Sequence, residues 1–154
     1  MEHRGATLAD NHTGDGTGVL TDIPKEFFKE LQFECTNHVV KKNDLQAIGM
    51  VFTSQSEFER LESLFKNNSK KLKLNYKGYR KVPTNKKIIG EIAFKSCPLI
   101  MQFFINGKDQ ELSLEDRLYL LRKIIENKLK EKKKKIFLTL GKMLESKKKN
   151  VKSI

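Results

Sequence analysis

Cysteine is nearly absent from the 154 residues: Cys35 and Cys97 are the only two. Two thiols cannot build a disulfide framework or a four-cysteine zinc site, so a reducing, cytoplasmic setting is the expectation. Long apolar runs are missing as well. Leu99–Met101 and Phe103–Ile105 are separated by Gln102, and a membrane-spanning helix needs about 20 consecutive apolar residues. The first twenty residues, MEHRGATLADNHTGDGTGVL, hold charges and glycines where a secretory signal has an apolar stretch, so no signal peptide is expected. Arginine is scarce too. Of 31 basic residues only five are Arg, at positions 4, 60, 80, 117 and 122. Lysine dominance with many Asn and Ile is what an A+T-rich coding sequence produces.

The net charge of +12 is unevenly spread. Residues 128–154 hold eleven lysines and two glutamates, which places +9 there and leaves only +3 on residues 1–127. A lysine-rich segment can bind phosphates by counterion release. Because the excess belongs to one end and not to the body, neither a nucleic-acid nor a membrane partner is expected. Residues 1–129 read as one domain, and residues 130–154 as a lysine-rich tail expected to be disordered.

Strands and helices alternate along that domain. The turn formers of DNHTGDGTG, residues 10–18, predict a loop. Asp22 and Pro24 start a helix with Phe27, Phe28 and Leu31 on one face. Residues 46–53, QAIGMVFT, read as a buried strand. Ser54 and Ser56, each three residues before a glutamate, predict a capping box. A helix follows with Phe58, Leu61, Leu64 and Phe65 inward, ended by Asn67, Asn68 and Ser69. Residues 72–82 predict a strand kinked at Gly78, with Leu72, Leu74 and Tyr76 on one side. Thr84 or Asn85 caps a short helix whose inner face is Ile89, Ile92 and Ala93, stopped by Pro98. Residues 99–105 predict a central strand, and Asn106-Gly107 a turn. Ser113 with Asp116 opens a helix whose inner face is Leu114, Leu118, Leu121, Ile125 and Leu129. Residues 136–140 read as a further strand.

Catalytic chemistry is hard to find in these residues. His3, His12 and His38 have no partner at a metal-ligand spacing. Gly14-Asp15-Gly16-Thr17-Gly18 lacks the lysine of a phosphate loop and reads as a tight turn. Cys35, near His38, has no third group to orient a base. Cys97 sits at a helix end, where the dipole disfavours a thiolate. Both cysteines are expected to be small buried residues.

A set of ordered motifs goes further. His3-Arg4-Gly5-Ala6, Ala9-Asp10, Thr13 to Gly18, and Ile23-Pro24 with Phe27-Phe28 resemble, in order, the amidotransferase region of glutamate synthase large chains. Gly49-Met50-x-Phe52, Gly78-Tyr79-Arg80-x-Val82-Pro83, Pro98-x-Ile100-x-Gln102 with Phe104-Ile105, and Arg117-Leu118-Tyr119 with Arg122-Lys123 continue the resemblance. It covers about 125 residues. Tyr79 stands where that family has Trp.

The resemblance implies a class-II, N-terminal-nucleophile glutamine amidotransferase. The implied fold class is α+β: a partial α/β/β/α sandwich lacking the nucleophile strand. In that family a cysteine at the start of the mature chain attacks the glutamine side-chain amide, with its own α-amino group as base. The ammonia then passes to a synthase domain that uses flavin, an iron–sulfur cluster and a nicotinamide donor. Here the family's Cys-Gly strand does not occur, and the Asn-Gly oxyanion donor and substrate-holding Arg and Asp are not found in 130–154. No catalytic residue, metal ligand or cofactor site is therefore assigned in this chain. Arg4, Gly5 and Asp15 are the residues expected near the parent active site. A locally paired Arg and a turn-forming Asp are the plainer readings of Arg4 and Asp15.

The sequence thus reads as a segment of the ammonia-releasing domain, inactive alone, whose expected partners are complementary glutamate synthase segments. Strands 46–53 and 99–105 are apolar enough that their shared outer face is expected to be exposed and adhesive. The alternatives are a non-catalytic binding module and a nucleic-acid-associated protein acting through its lysine tail.

Overall fold

The computed structural model describes Ala9, residues 24–41, residues 43–130 and residues 137–142. Their order is α1 (Lys25–Thr36), β1 (Leu45–Thr53), α2 (Gln55–Lys71), β2 (Asn75–Lys81), a 3-10 turn (Lys86–Ile88), α3 (Glu91–Ser96), β3 (Leu99–Gly107), α4 (Leu114–Lys130) and β4 (Phe137–Lys142). The four strands form one antiparallel sheet in the order β2-β3-β1-β4. The architecture is α+β. The tail assigned to 130–154 contains β4, which pairs with β1 from Phe52↔Phe137 to Ala47↔Lys142.

Period-2 alternation gives the sheet two faces. Ala47 and Val51 of β1 and Met101, Phe103 and Ile105 of β3 face α2 and α4. From α2 come Phe58, Leu61 and Phe65, and from α4 come Leu114, Leu118, Leu121, Ile125 and Leu129. Phe103 is the centre of this layer. Phe65 stacks on it at 4.4 Å, and Phe58, Tyr76 and Tyr79 lie within 6.2 Å of its ring centre. Gly107 lets α4 begin close to the strand, since a Cβ there would meet Leu114 Cδ1 at 2.8 Å.

The opposite face carries Gln46, Ile48, Met50 and Phe52 of β1 and Ile100, Gln102, Phe104 and Asn106 of β3. It is not the bare apolar face expected. Ile48 and Phe104 are buried, and Met50, Phe52 and Ile100 are half-buried. Helix α1 lies against one end of it, with Gln46 of β1 bonded to Gln32 and to the Phe28 carbonyl.

Several local expectations change. Asn67, Asn68 and Ser69 do not end α2. The helix runs to Lys71 because Asn68 and Ser69 turn inward and are buried, with Asn68 Nδ2 bonded to the Leu64 carbonyl at 2.7 Å. Asn106-Gly107 is no turn. Both residues continue β3, held by pairing to Gln46 and Leu45 on β1 and, at Asn106, to Asn75 on β2. The capping box before α2 does not form, since Ser54 Oγ bonds Ser56 Oγ at 3.0 Å instead of a backbone N–H. Ile89 and Ile92 face outward, 37% and 41% exposed.

Candidate functional site

Arg4, Gly5 and Asp15 lie outside the described residues, as does most of the glycine-rich segment that carries Asp15. What the described residues show is a helix-backed sheet platform.

The two cysteines are free, one in α1 and the other just after α3. Cys35 lies within α1 and is exposed, against the expectation of burial. Cys97 is the C-terminal cap residue of α3, half-buried, with Sγ 3.7 Å from the Pro98 carbonyl. His38 is exposed, and its Nδ1 lies 2.8 Å from the Thr36 carbonyl oxygen. Among the described residues no group of three or more His, Cys, Asp or Glu side chains could hold a metal.

Three polar constellations organise the platform. The first is a carboxamide cluster on the α1 side of the sheet. Gln46 Nε2 donates to Gln32 Oε1 at 3.0 Å and to the Phe28 carbonyl at 3.1 Å, while Gln32 Nε2 donates to the His38 carbonyl at 3.0 Å. Asn106, the cross-strand partner of Gln46, is fully buried with neither side-chain atom bonded. The second joins Arg80 Nε to Gln102 Oε1 at 2.6 Å, and Gln102 Nε2 to Met50 Sδ at 3.3 Å. It sits on the same face, beyond Ile48 and Phe104.

The third is Arg117, 4% exposed. Its guanidinium donates to the carbonyls of Leu72 and Lys73 (3.3 and 3.1 Å), Ser113 (3.4 Å) and Lys108. This ties the α2–β2 turn and the β3–α4 loop to the first turn of α4. A cleft of about 430 Å³ beside it is lined by Lys71, Lys73, Gln110 and Leu112 among others. A second cleft, about 490 Å³, lies where β1 passes into α2 and includes Lys81, Lys86, Lys95 and Cys97.

The sequence singled out Arg80, Gln102 and Arg117 only as motif letters, gave Gln46 only a strand position and Asn106 a turn, and left Gln32 without a role. The available signal was a glutamine or asparagine at a strand position whose neighbours are all apolar. Chemically, these groups hold elements in place. None of the constellations pairs a nucleophile with a base.

Comparison with known proteins fits this picture. Residues 1–144 match the family of class-II glutamine amidotransferases, a span that includes β4. The glutamate synthase [NADPH] large chain of Bacillus subtilis is 38% identical over 136 residues, covering 82% of this chain and 8% of its own length. Ferredoxin-dependent glutamate synthase 2 of Synechocystis is 36% identical over 135 residues, covering 85% of this chain and 9% of its own. Ferredoxin-dependent glutamate synthase 1 of Arabidopsis thaliana is 35% identical over 130 residues, covering 82% and 8%. The chain thus spans less than a tenth of the length of these relatives.

Proposed function

The chain belongs to the class-II glutamine amidotransferases, in the amidotransferase domain of the glutamate synthases, and we propose that it is one segment of the ammonia-releasing unit, inactive by itself. The observation that supports this reading is the unbroken match over residues 1–144, set against relatives of which it covers 8–9%. The described elements supply a sheet backed by α2 and α4, a scaffold without a reacting group.

The chemistry of the unit is the reason for expecting no activity from the chain alone. A thiol must attack the amide carbon of glutamine as its proton passes to a free α-amino group and then to the departing ammonia. Cys35 and Cys97 are both internal to the chain, so neither carries a free α-amino group. The tetrahedral oxyanion also needs fixed donors, and removal of one donor alone typically costs about 10²–10³ in rate. In this proposal a complementary polypeptide brings the cysteine strand and the oxyanion donors. Flavin, iron–sulfur and nicotinamide or ferredoxin chemistry belong to other segments of the assembly, in a reducing cytoplasmic compartment. Arg4, Gly5 and Asp15 border the completed active site.

The test is ammonia release from glutamine by the pure chain, alone and after mixing with a polypeptide carrying the family's cysteine strand and oxyanion segment. No release alone and measurable release from the mixture is the expected result. Release by the chain alone, abolished by Cys35→Ser or Cys97→Ser, would refute the proposal.

A further inference from the structure

Helix α1 is fastened to the sheet differently from the other long helices. Helix α2 buries Phe58, Leu61 and Phe65, and α4 buries Leu114, Leu118, Leu121, Ile125 and Leu129. In α1 the fully buried side chain is a glutamine, Gln32. Of its large apolar residues Phe27 and Phe33 are each 51% exposed and Phe28 and Leu31 only half-buried, and no side chain caps its N-terminus. Side-chain hydrogen bonds from carboxamides join it to the sheet. Gln32 and Gln46 bond one another, yet Gln46 Oε1 and both polar atoms of Asn106 are buried with no hydrogen-bond partner. Gln46 and Asn106 are register partners on adjacent strands, so the three orphaned atoms share one row of one sheet face. Buried polar atoms without partners favour any state in which water reaches them. At the far end Thr36 is pressed against the sheet at Gly78, where even a Cβ would come within 2.8 Å of Thr36 Cγ2.

We propose that α1 is a lid over a carboxamide slot formed by Gln46 and Asn106, lifting from the sheet as a unit while α2, α4 and the sheet stay folded. On lifting, Gln32 gives up its bonds to Gln46 and to the His38 carbonyl, and the orphaned atoms of the slot gain partners. Asn37, in the left-handed conformation at φ 53°, is the hinge at its C-terminal end. The uncovered row presents amide donors and carbonyl acceptors together, the chemistry that pairs with water or with a peptide group. Helices α2 and α4 cannot behave this way, because their release would expose the whole apolar layer around Phe103.

Hydrogen exchange of the full 154-residue chain, read by mass spectrometry, tests the lid. Residues 25–36 are expected to exchange as one block at least roughly tenfold faster than the inner turns of α2 and α4. Asn106→Leu removes two orphaned atoms without a large change of shape. It is expected to slow exchange in α1 by roughly tenfold with α2 and α4 unchanged. Gln32→Ala is expected to speed α1 alone. If Asn106→Leu does not fold, Asn106→Ala carries the same reading. Equal protection of α1, α2 and α4 overturns the lid, and so does an unchanged α1 in the folded Asn106 variant.

Discussion

Arg117 and Tyr76 show how single polar groups are handled in this fold. The Arg117 guanidinium is buried, and its acceptors are backbone carbonyls drawn from three separate stretches of chain. Replacing it with Met keeps the stem but strands those carbonyls. Bonds to charged groups contribute about 1.5–3 kcal/mol each net of solvation, so Arg117→Met is expected to cost several kcal/mol, read as a lower denaturation midpoint. Arg117→Lys is expected to recover only part, since an ammonium cannot span the same fork. Tyr76 is half-buried and its hydroxyl lies 3.3 Å from Glu62 Oε1. Burial first, then the Glu62 carboxylate, push its phenol well above the ordinary value. A phenol held neutral in the fold but ionising near pH 10 when unfolded binds more protons in the native state above that pH. Its contribution is therefore complete below pH 10 and is lost as pH rises further. Tyr76→Phe is expected to lose about 0.5–1.5 kcal/mol at pH 7, with the gap to the parent chain closing between pH 10 and 12. Urea midpoints of the two proteins across that range decide it.

At the scale of elements, two helix starts that look alike in sequence differ in space. Ser113 Oγ accepts from the Asp116 N–H at 3.1 Å and donates to the Asp116 carboxylate at 2.7 Å, a working cap on α4. Ser54, before α2, is turned to Ser56 and caps nothing with its side chain. Ser113→Ala is expected to cost about 1 kcal/mol and Ser54→Ala only a few tenths, a contrast that paired thermal melts measure. The strands and long helices were legible because their apolar periods are strong. Leu114 to Leu129 all turn inward as read, and β1 and β3 fall where the apolar runs lie. Reading failed where tertiary contact overrode local preference. The Asn-Asn-Ser run stays helical because its last two residues are buried, and Asn106-Gly107 stays extended because strands flank it on both sides. The residues expected nearest the active site, Arg4, Gly5 and Asp15, were legible only through a family resemblance. The carboxamide cluster was not read, because Gln46 and Asn106 among apolar strand neighbours are a signal of burial but carry no motif.

Across the whole molecule, charge and apolar surface pull in opposite directions. A net charge of +12 makes copies of the chain repel one another. Among the described residues, an apolar surface that could overcome this lies on the segment between β2 and β3. There Ile88 is 79% exposed and Phe94 54%, with Ile89 and Ile92 beside them. Lys86 lies over the Phe94 ring at 5.9 Å, so the patch carries cations of its own. Repulsion between exposed charges fades as salt shortens its range from about 10 Å at 0.1 M to about 3 Å at 1 M, whereas apolar attraction does not. The chain is therefore expected to be monomeric at low salt and to self-associate as salt rises. Ile88→Lys with Phe94→Lys is expected to abolish that association and to change folding stability by only about 0.5 kcal/mol per site, because both side chains are mostly solvated already. Light scattering behind size-exclusion chromatography, at low and high salt, measures both effects. Salt-driven association that persists in the double variant would place the adhesive surface elsewhere, with Phe27, Phe33 and Val39 around α1 the next exposed apolar group.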